Sequence, residues 1–308
     1  MTTATEKTSP NTWQQWGLGL LHGPSQIYFQ KNVITGVLIF AAFFAADWRM
    51  GVLTFIGAVG GILGGRQFGF TLSSIGSGMQ SFNGTLVGAA VFAALGGGTW
   101  WSYALALLGG ITTGPVTWFV NWLFTKTTLA KFTLPYTTAP FVIVASVIAY
   151  STLHWSVASP PSSRSTEPVI AFLTSLLTNV SQVVLVNNVW SGALILIGLF
   201  VANWKVGLTA LLGSAVGSVA GVMLGESWGE IANGLAGYSG VLTAIAIAVT
   251  YLKSSVVSWI YALPWIVITA AVTLLMHRLG VETYTWPYIL TTWVALVAVF
   301  YSPRLKRS

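Results

Sequence analysis

Cysteine is absent from this 308-residue chain, and charged residues of both signs make up only 6% of it. Without a thiol the chain can form no disulfide, no thiolate metal site and no cysteine nucleophile. A soluble domain carries about 25% charged residues. A chain with so little charge and 55% hydrophobic residues is therefore expected to be an integral membrane protein.

Acidic residues are few, and each lies in a tail or near the end of an apolar segment. The six are Glu6, Asp47, Glu167, Glu226, Glu230 and Glu282. Proton-coupled transporters and cation channels mark their routes with carboxylates inside the membrane, and none is placed for that role here. This placement disfavours an ion-coupled carrier for a neutral solute, which stays open as an alternative.

The three histidines, His22, His154 and His277, have no partner four residues away and no neighbouring carboxylate. No nucleophile, base and orienting group can be assembled from such a sequence, so we expect no catalysis, no metal site and no cofactor. An ammonia channel is a second alternative. It would be expected to line its pore with histidines, and the sequence places none there.

The apolar residues form long runs separated by short polar stretches, which is typical of bundled helices rather than of alternating barrel strands. The polar first twelve residues are followed by no signal-like apolar stretch with a small-residue cleavage site. The formal net charge is +7, but Lys and Arg are spread over loops and the C-terminal tail. We therefore expect membrane lipid, and no nucleic acid, as a partner.

An internal repeat is the strongest pattern after composition. Residues 25–90 align with residues 181–246 without a gap, and 20 of the 66 pairs are identical. Shared apolar residue types explain part of this agreement, but they do not explain matched polar and tryptophan residues. Those pairs are Gln26/Gln182, Asn32/Asn188 and Trp48/Trp204. The sequence predicts a duplicated module.

Each half is predicted to contain five transmembrane spans and a short aromatic and polar piece that is too short and too interrupted to span the membrane cleanly. In the first half the piece is residues 13–31 and the spans lie near residues 32–47, 51–66, 84–99, 101–125 and 132–153. In the second half the corresponding ranges are residues 168–187, 188–203, 207–225, 234–251, 255–277 and 284–301. Five is an odd number, so the halves are predicted to have inverted topology.

The charges test that topology. The predicted parts are a polar tail (1–12), a first repeat (13–153), an external linker (154–167), a second repeat (168–301) and a basic tail (302–308). With the N-terminus in the cytoplasm, nine basic residues fall inside: Lys7, Arg66, Lys126, Lys131, Lys205, Lys253, Arg304, Lys306 and Arg307. Three fall outside, Arg49, Arg164 and Arg278, and Lys31 is left near the membrane. This bias predicts that both termini are cytoplasmic.

Glycines recur at every fourth residue in one apolar segment of each half. They are Gly57, Gly61, Gly65 and Gly69, then Gly213, Gly217, Gly221 and Gly225. A phosphate-binding role is the alternative, but small residues at this spacing let apolar helices pack closely. The pattern favours helix packing.

A polar stretch with two prolines, Leu-Pro-Tyr-Thr-Thr-Ala-Pro-Phe at residues 134–141, interrupts the last apolar segment of the first half. Inside a helix each proline would leave a carbonyl one turn back without its donor. In lipid such groups are tolerated where they line a cavity. The stretch predicts a broken helix with oxygens facing a binding site, and an ordinary proline kink is the alternative.

The remaining polar groups predicted for the core are neutral, and they occur at corresponding positions of the two halves. Gln26 and Gln182 correspond, and Phe29 and Leu185 follow them by three residues. Wall residues four apart correspond in the same way, Phe82 and Leu86 with Tyr238 and Leu242. Core packing would explain any single pair. A structural membrane scaffold is a further alternative, but it would not need two matched glutamines, whose amides are costly to bury in lipid. Together the pairs predict a flattened apolar slot for a small, planar, uncharged solute with NH₂ donors.

The stretch at 134–141 resembles Leu-Pro-x-x-Thr-x-Pro-Phe, the signature of the channel-like urea transporter family, and Leu134, Pro135, Thr138, Pro140 and Phe141 match it. The resemblance extends over residues 13–301. It implies two inverted halves of five spans and one re-entrant helix each, and a homotrimer in the plasma (inner) membrane with a pore in each protomer. It also implies passive transport of urea, with urea analogues and short amides as further substrates.

The family's pore residues are carried over by the matching motifs. Gln26, Phe29, Gln182 and Leu185 resemble the polar and wall residues of the two pore-helix regions, and Thr138 resembles the threonine at the pore centre. Phe82, Leu86, Tyr238 and Leu242 resemble the facing walls, where Tyr238 replaces a Phe-like residue. In the second half Val281 and Glu282 stand where Leu-Pro is expected, and Thr285 is a mate of Thr138 only at an offset of 147.

Overall fold

The computed structural model describes residues 11–157, 164–302 and 304–308. Within these ranges the regular structure is helical, with one isolated β-bridge between Leu252 and Arg307. Four of the helices are long and apolar enough to cross a membrane, as predicted for an all-α membrane protein. Most of the predicted N-terminal tail and the middle of the predicted linker lie outside the described residues.

Fourteen α-helices occur in the described ranges. The first seven are α1 Thr12–Gln26, α2 Val33–Ala46, α3 Trp48–Gln67, α4 Leu72–Gly76, α5 Ser81–Leu95, α6 Trp100–Lys126 and α7 Ala139–Ser151. The others are α8 Pro168–Gln182, α9 Val189–Ala202, α10 Trp204–Met223, α11 Trp228–Ala232, α12 Tyr238–Ile245, α13 Val256–Arg278 and α14 Trp286–Phe300. A π-helical turn, Ala246–Thr250, follows α12.

The matched asparagines of the repeat begin corresponding helices. The side chain of Asn32 accepts a hydrogen bond from the Thr35 amide at 3.0 Å, and Asn188 accepts one from the Ser191 amide at 3.0 Å. An asparagine in this position satisfies an amide that the first turn leaves without an intrahelical partner. The two residues therefore set where α2 and α9 start, which explains why they match when most polar positions do not.

Reciprocal hydrogen bonds join α2 to α9. The Thr35 hydroxyl donates to the Gly198 carbonyl at 2.7 Å, and the Ser191 hydroxyl donates to the Ala42 carbonyl at 2.9 Å. All four residues are related by the same offset of 156 positions. One hydrophobic core includes large side chains from both parts of the chain, residues 13–153 and residues 168–301, among them Phe43, Phe141, Ile195 and Tyr288. The two parts therefore share a single interior.

The helices follow the predicted spans, but several of them are short. Each part of the chain has two long apolar helices, α3 and α6 or α10 and α13, whereas the remaining apolar helices have 10–17 residues. A helix of 14 residues rises about 20 Å, and a bilayer core is about 30 Å thick. The sequence also gave no sign of α4 and α11, because five residues are too few to show a helical period.

The prediction of a broken helix at residues 134–141 is corrected by the structure. Helix α7 begins only at Ala139, with Thr138 before it and Pro140 in its first turn. Proline suits that turn because its missing N–H would have had no intrahelical acceptor. The Tyr136 carbonyl accepts from the Ala139 amide at 3.1 Å. Pro140 therefore neither kinks a helix nor frees a carbonyl, and the residues before α7 are irregular backbone.

The predicted glycine packing is confirmed for α3 and α5. A Cβ added to Gly84 would lie 2.1 Å from the Gly57 carbonyl oxygen, and one added to Gly57 would lie 2.2 Å from the Gly84 oxygen. The two backbones are thus in contact, and no side chain fits between them. Gly69 and Gly225 differ from the rest of the pattern, because they have positive φ angles of 78° and 87° and no close neighbour. They end helices rather than pack them.

Hydrogen bonds group the loops at two ends of the molecule. At one end the Lys253 amide donates to the Lys306 carbonyl at 2.9 Å, and Arg307 reaches the Phe132 carbonyl at 3.3 Å. We call this the basic end; its basic residues are Lys131, Lys253, Arg304, Lys306 and Arg307. At the other, acidic end, Arg278 donates to the Leu224 carbonyl at 2.9 Å, and the acidic residues are Glu226, Glu230 and Glu282.

Candidate functional site

Two cavities contain most of the predicted site residues. The Gln26 cavity has a volume of about 260 Å³, and its lining includes Gln26, Phe29, Phe82, Tyr136, Thr138 and Tyr251. The Gln182 cavity has a volume of about 330 Å³, and its lining includes Gln182, Leu185, Tyr238, Glu282, Thr283 and Tyr284. The first lies toward the basic end and the second toward the acidic end.

The two cavities are lined by corresponding residues. Five pairs lie 156 positions apart: Gln26/Gln182, Phe29/Leu185, Met79/Leu235, Phe82/Tyr238 and Asn121/His277. Four more lie 147 positions apart: Leu134/Val281, Pro135/Glu282, Tyr136/Thr283 and Thr137/Tyr284. The drop from one offset to the other falls between α6 and the residues before α7. Each cavity is thus lined by residues from both alignments, the one at an offset of 156 and the one at an offset of 147.

Both glutamines are held in the same way at the end of a helix. The Gln26 side-chain nitrogen donates to the Ser77 carbonyl at 2.7 Å, and the Gln182 nitrogen donates to the Asn233 carbonyl at 2.9 Å. Each contact fixes the orientation of its amide and uses one of the two N–H donors of that side chain. The side-chain oxygens are left to accept hydrogen bonds from a molecule in the cavity.

Strained backbone occurs at corresponding positions of the two linings. Phe29 and Leu185 have φ angles of 61° and 63°, and Thr137 and Tyr284 have φ angles of 49° and 39°. Positive φ is costly for a bulky or β-branched residue and is kept where the surroundings force it. Here the strain turns the chain sharply after α1 and α8 and before α7 and α14. It places side chains on the cavity walls that a continuous helix would direct elsewhere.

Thr138 and Thr285 meet in the interior. Their hydroxyl oxygens are 2.6 Å apart, and the two residues are only 3% and 2% exposed. Thr138 lines the Gln26 cavity, and Thr285 directly follows Tyr284 of the Gln182 cavity. The pair therefore stands between the two cavities, and Thr285 is the spatial mate of Thr138. The neighbouring Thr137 hydroxyl is buried without a partner among the described residues.

The walls of the two cavities differ in character. In the Gln26 cavity Phe82 stacks on Tyr136 at 6.4 Å, and the Phe29 ring contacts Tyr251 at 5.5 Å. In the Gln182 cavity the Tyr238 hydroxyl donates to the Tyr284 carbonyl at 2.6 Å. Tyr238, which stands where a Phe-like wall residue is expected, therefore donates its hydroxyl hydrogen to the backbone rather than to the cavity. The Gln26 cavity has the more aromatic surface, and the Gln182 cavity the more polar one.

Two of the three predicted leucines are placed differently from Leu185, which lines the Gln182 cavity. Leu86 and Leu242 are fully buried at 0% exposure, belong to the main core, and are not among the residues that line either cavity. Each lies one helical turn beyond Phe82 or Tyr238. Their predicted contact with a solute stays a prediction.

Contacts between elements hold the segment before α7. The Trp293 ring nitrogen donates to the Pro135 carbonyl at 2.9 Å, and the Phe141 amide donates to the Asn83 side chain at 3.2 Å. Sequence reasoning missed Asn83, Trp293 and Tyr251, because nothing in the local pattern distinguishes them. It also missed Asn121, although the offset of 156 to His277 could have indicated it.

His277 corrects the expectation that no histidine lies near the site. It lines the Gln182 cavity together with Glu282, so a carboxylate also lies nearby. Both residues are exposed, which places them at the mouth of the cavity rather than in its interior. The described residues contain no group of three side chains that could hold a metal ion.

The family model described as "UT: Urea transporter" matches residues 18–300. The chain belongs to the urea transporter family. This assigns the protein to a family of membrane transporters rather than to an enzyme class.

The chain is also similar along most of its length to curated urea transporters. It is 29% identical over 300 residues to urea transporter 1 of Rattus norvegicus, a match that covers 94% of this chain and 78% of the relative. The proteins of the same name from Capra hircus and Mus musculus are each 27% identical over 300 residues, with the same coverage. The family resemblance predicted from residues 134–141 is confirmed.

Proposed function

We propose that this urea transporter carries urea passively through the Gln26 cavity, past the Thr138–Thr285 pair, and through the Gln182 cavity. The observation that carries the proposal is the arrangement of two correspondingly lined cavities on either side of a buried pair of hydroxyls. Urea analogues and short amides are proposed as further substrates. In each cavity a solute with NH₂ groups finds the oxygen of a glutamine amide whose nitrogen is already held by a backbone carbonyl.

Urea suits such a passage because it is small, planar and uncharged. Its faces can lie against the rings of Phe82 and Tyr136, which are nearly parallel at 21°. Its NH₂ hydrogens lose water on entering an apolar passage, and acceptors must replace that water along the route. Gln26, Thr138, Thr285 and Gln182 are the side chains proposed to do so.

The proposed architecture follows the same symmetry. The residues from 13 to 153 and from 168 to 301 form two inverted halves, each with five spans and a re-entrant helix, α1 or α8. Support comes from helices of equal length at corresponding places and from the reciprocal contacts of α2 with α9. We also propose a homotrimer in the inner membrane, with the basic end and both termini in the cytoplasm. The excess of Lys and Arg at that end supports this orientation.

Urea flux is expected to be indifferent to a proton gradient, a sodium gradient and voltage, within about twofold, because moving a neutral solute does no electrical work. Among the described residues the only ion pair is Asp47–Arg49 at 3.3 Å, and neither residue lines a cavity. Stopped-flow urea flux in proteoliposomes, with and without each gradient, measures this. Accumulation of urea above its external concentration on addition of a gradient would show a coupled carrier instead.

Phe82→Ala is expected to raise the flux of a bulkier amide relative to urea by about fivefold, because it removes one face of an apolar constriction. Phe44→Ala is the matched control, since Phe44 is 47% exposed and lines neither cavity. The measurement compares urea with dimethylurea in the same proteoliposomes. An unchanged ratio in Phe82→Ala would mean that Phe82 only packs the core.

A further inference from the structure

We propose that Arg307 is a positioning residue for the wall of the Gln26 cavity. Residues 304–308, which we call the strap, tie the segment that carries Tyr251 to the segment that leads into Thr138. The inference rests on the proposed function, in that it takes the Gln26 cavity as part of the urea route. It adds a specificity-determining contact that involves no residue of the cavity lining itself.

The strap is bonded on one side to residues 250–253. Arg307 and Leu252 form an antiparallel bridge, and the Lys253 amide donates to the Lys306 carbonyl at 2.9 Å. The Ser308 amide donates to the Tyr251 carbonyl at 3.2 Å. These are backbone contacts, so they fix the course of the chain on both sides of Tyr251.

On its other side the strap holds residues 132 and 133 through the Arg307 side chain. One guanidinium nitrogen, Nη2, donates to the Phe132 carbonyl at 3.3 Å, to the Thr133 hydroxyl at 3.2 Å and also to the Thr133 carbonyl. Thr133 has a φ of 46° and immediately precedes Leu134, which lines the Gln26 cavity. A planar guanidinium can hold several such acceptors at once in a fixed geometry.

Tyr251 is a wall residue that needs this support. It follows the π-helical turn Ala246–Thr250, whereas the corresponding stretch of α5 continues as an α-helix to Leu95. π-Turns are irregular and occur often at functional sites. Tyr251 also has no counterpart in the other cavity, where the small Ala93 and Ala94 lie instead. Its ring closes the Gln26 cavity against Phe29 at 5.5 Å.

The charge of Arg307 is not needed for an ion pair. Within the described ranges its side chain contacts carbonyl and hydroxyl oxygens, and the one salt bridge found there is elsewhere. Replacing Arg307 therefore leaves no side-chain carboxylate of the described residues without a salt-bridge partner. The chain also offers a charge-matched control, because Arg304 is exposed and belongs to the same strap.

Arg307→Ala is expected to raise the flux of dimethylurea relative to urea by about fivefold, because the strap that holds Tyr251 loses its side-chain tie to residues 132 and 133. Arg304→Ala should leave the ratio unchanged, and Arg307→Lys should restore part of the selectivity by donating to Thr133. The decisive measurement repeats Arg307→Ala in a Tyr251→Ala background. If Arg307 acts through Tyr251, adding Arg307→Ala to the Tyr251→Ala variant has no further effect on the ratio of dimethylurea flux to urea flux.

Two outcomes overturn the inference: an Arg307→Ala ratio equal to wild type, or a change of the same size in the Tyr251→Ala background. Each variant is first checked for monodisperse, folded protein, and Arg307→Lys serves where Arg307→Ala does not fold. Failure of the proposed function looks different. In that case Gln26→Leu would leave urea flux intact, whereas failure of this inference alone leaves the Gln26→Leu effect in place.

Discussion

Thr138→Val is expected to lower the maximal urea flux by about tenfold or more while the protein stays folded. Valine keeps the shape of threonine and removes its oxygen, so the change separates hydrogen bonding from packing. Tenfold corresponds to about 1.4 kcal/mol, the loss of roughly one hydrogen bond at the barrier.

The contact with Thr285 does not cancel this expectation. Two hydroxyls that share one hydrogen bond still hold one free hydrogen and several free lone pairs. A urea NH₂ group can therefore donate to a free lone pair, and a urea carbonyl can accept the free hydrogen. Neither contact requires the two oxygens, which lie 2.6 Å apart, to separate. Removing either hydroxyl takes acceptors from the driest part of the route, where both residues are almost fully buried.

Stopped-flow flux over a range of urea concentrations measures the effect. Thr285→Val is expected to behave like Thr138→Val, and Thr138→Ser, which restores the oxygen, should recover most of the flux. The double valine variant should cost less than the two single changes added together, because each single change already breaks the shared bond. Wild-type flux in Thr138→Val would make the pair a packing feature.

Gln26→Leu and Gln182→Leu are each expected to raise the urea concentration needed for half-maximal flux by about tenfold. The glutamine oxygens lie in the cavities rather than at the buried pair, so they are expected to act on entry and binding. A change that weakens binding shifts the half-saturating concentration, whereas one confined to the barrier lowers the maximal flux. The glutamine and threonine variants should therefore differ in which quantity changes.

The matched control for the glutamines is Gln30→Leu. Gln30 is half-buried and close to Gln26 in the chain, but it donates to the Phe29 carbonyl at 3.0 Å and lines neither cavity. Equal effects of Gln30→Leu and Gln26→Leu would mean that polarity near α1, not an oriented oxygen, matters. The effects of Gln26→Leu and Gln182→Leu are expected to differ in size, since Phe82 stacks beside one cavity and Tyr238 donates to a carbonyl beside the other.

The family and the all-helical character of the chain were visible in the sequence because they depend on local or repeated features. Composition and the long apolar runs indicated a helical membrane protein, and the resemblance at residues 134–141 indicated the urea transporter family that the comparison confirmed. The matched Asn32 and Asn188 act within their own helices, so their role repeats wherever the local sequence repeats. Close packing at Gly57 and Gly84 was predictable for the same reason, since only glycine permits it.

The start of α7, the meeting of Thr138 with Thr285 and the hydrogen bond from Ser308 to Tyr251 were decided only by the tertiary structure. Each depends on groups more than 50 positions apart, and no local pattern encodes which distant backbone will supply a partner. The proline stretch was predicted to be a break within a helix, because apolar residues surround it. Its carbonyls instead find donors such as Trp293 from the other part of the chain. A buried backbone group must be paired, but what pairs it is settled only when the two parts of the chain pack together.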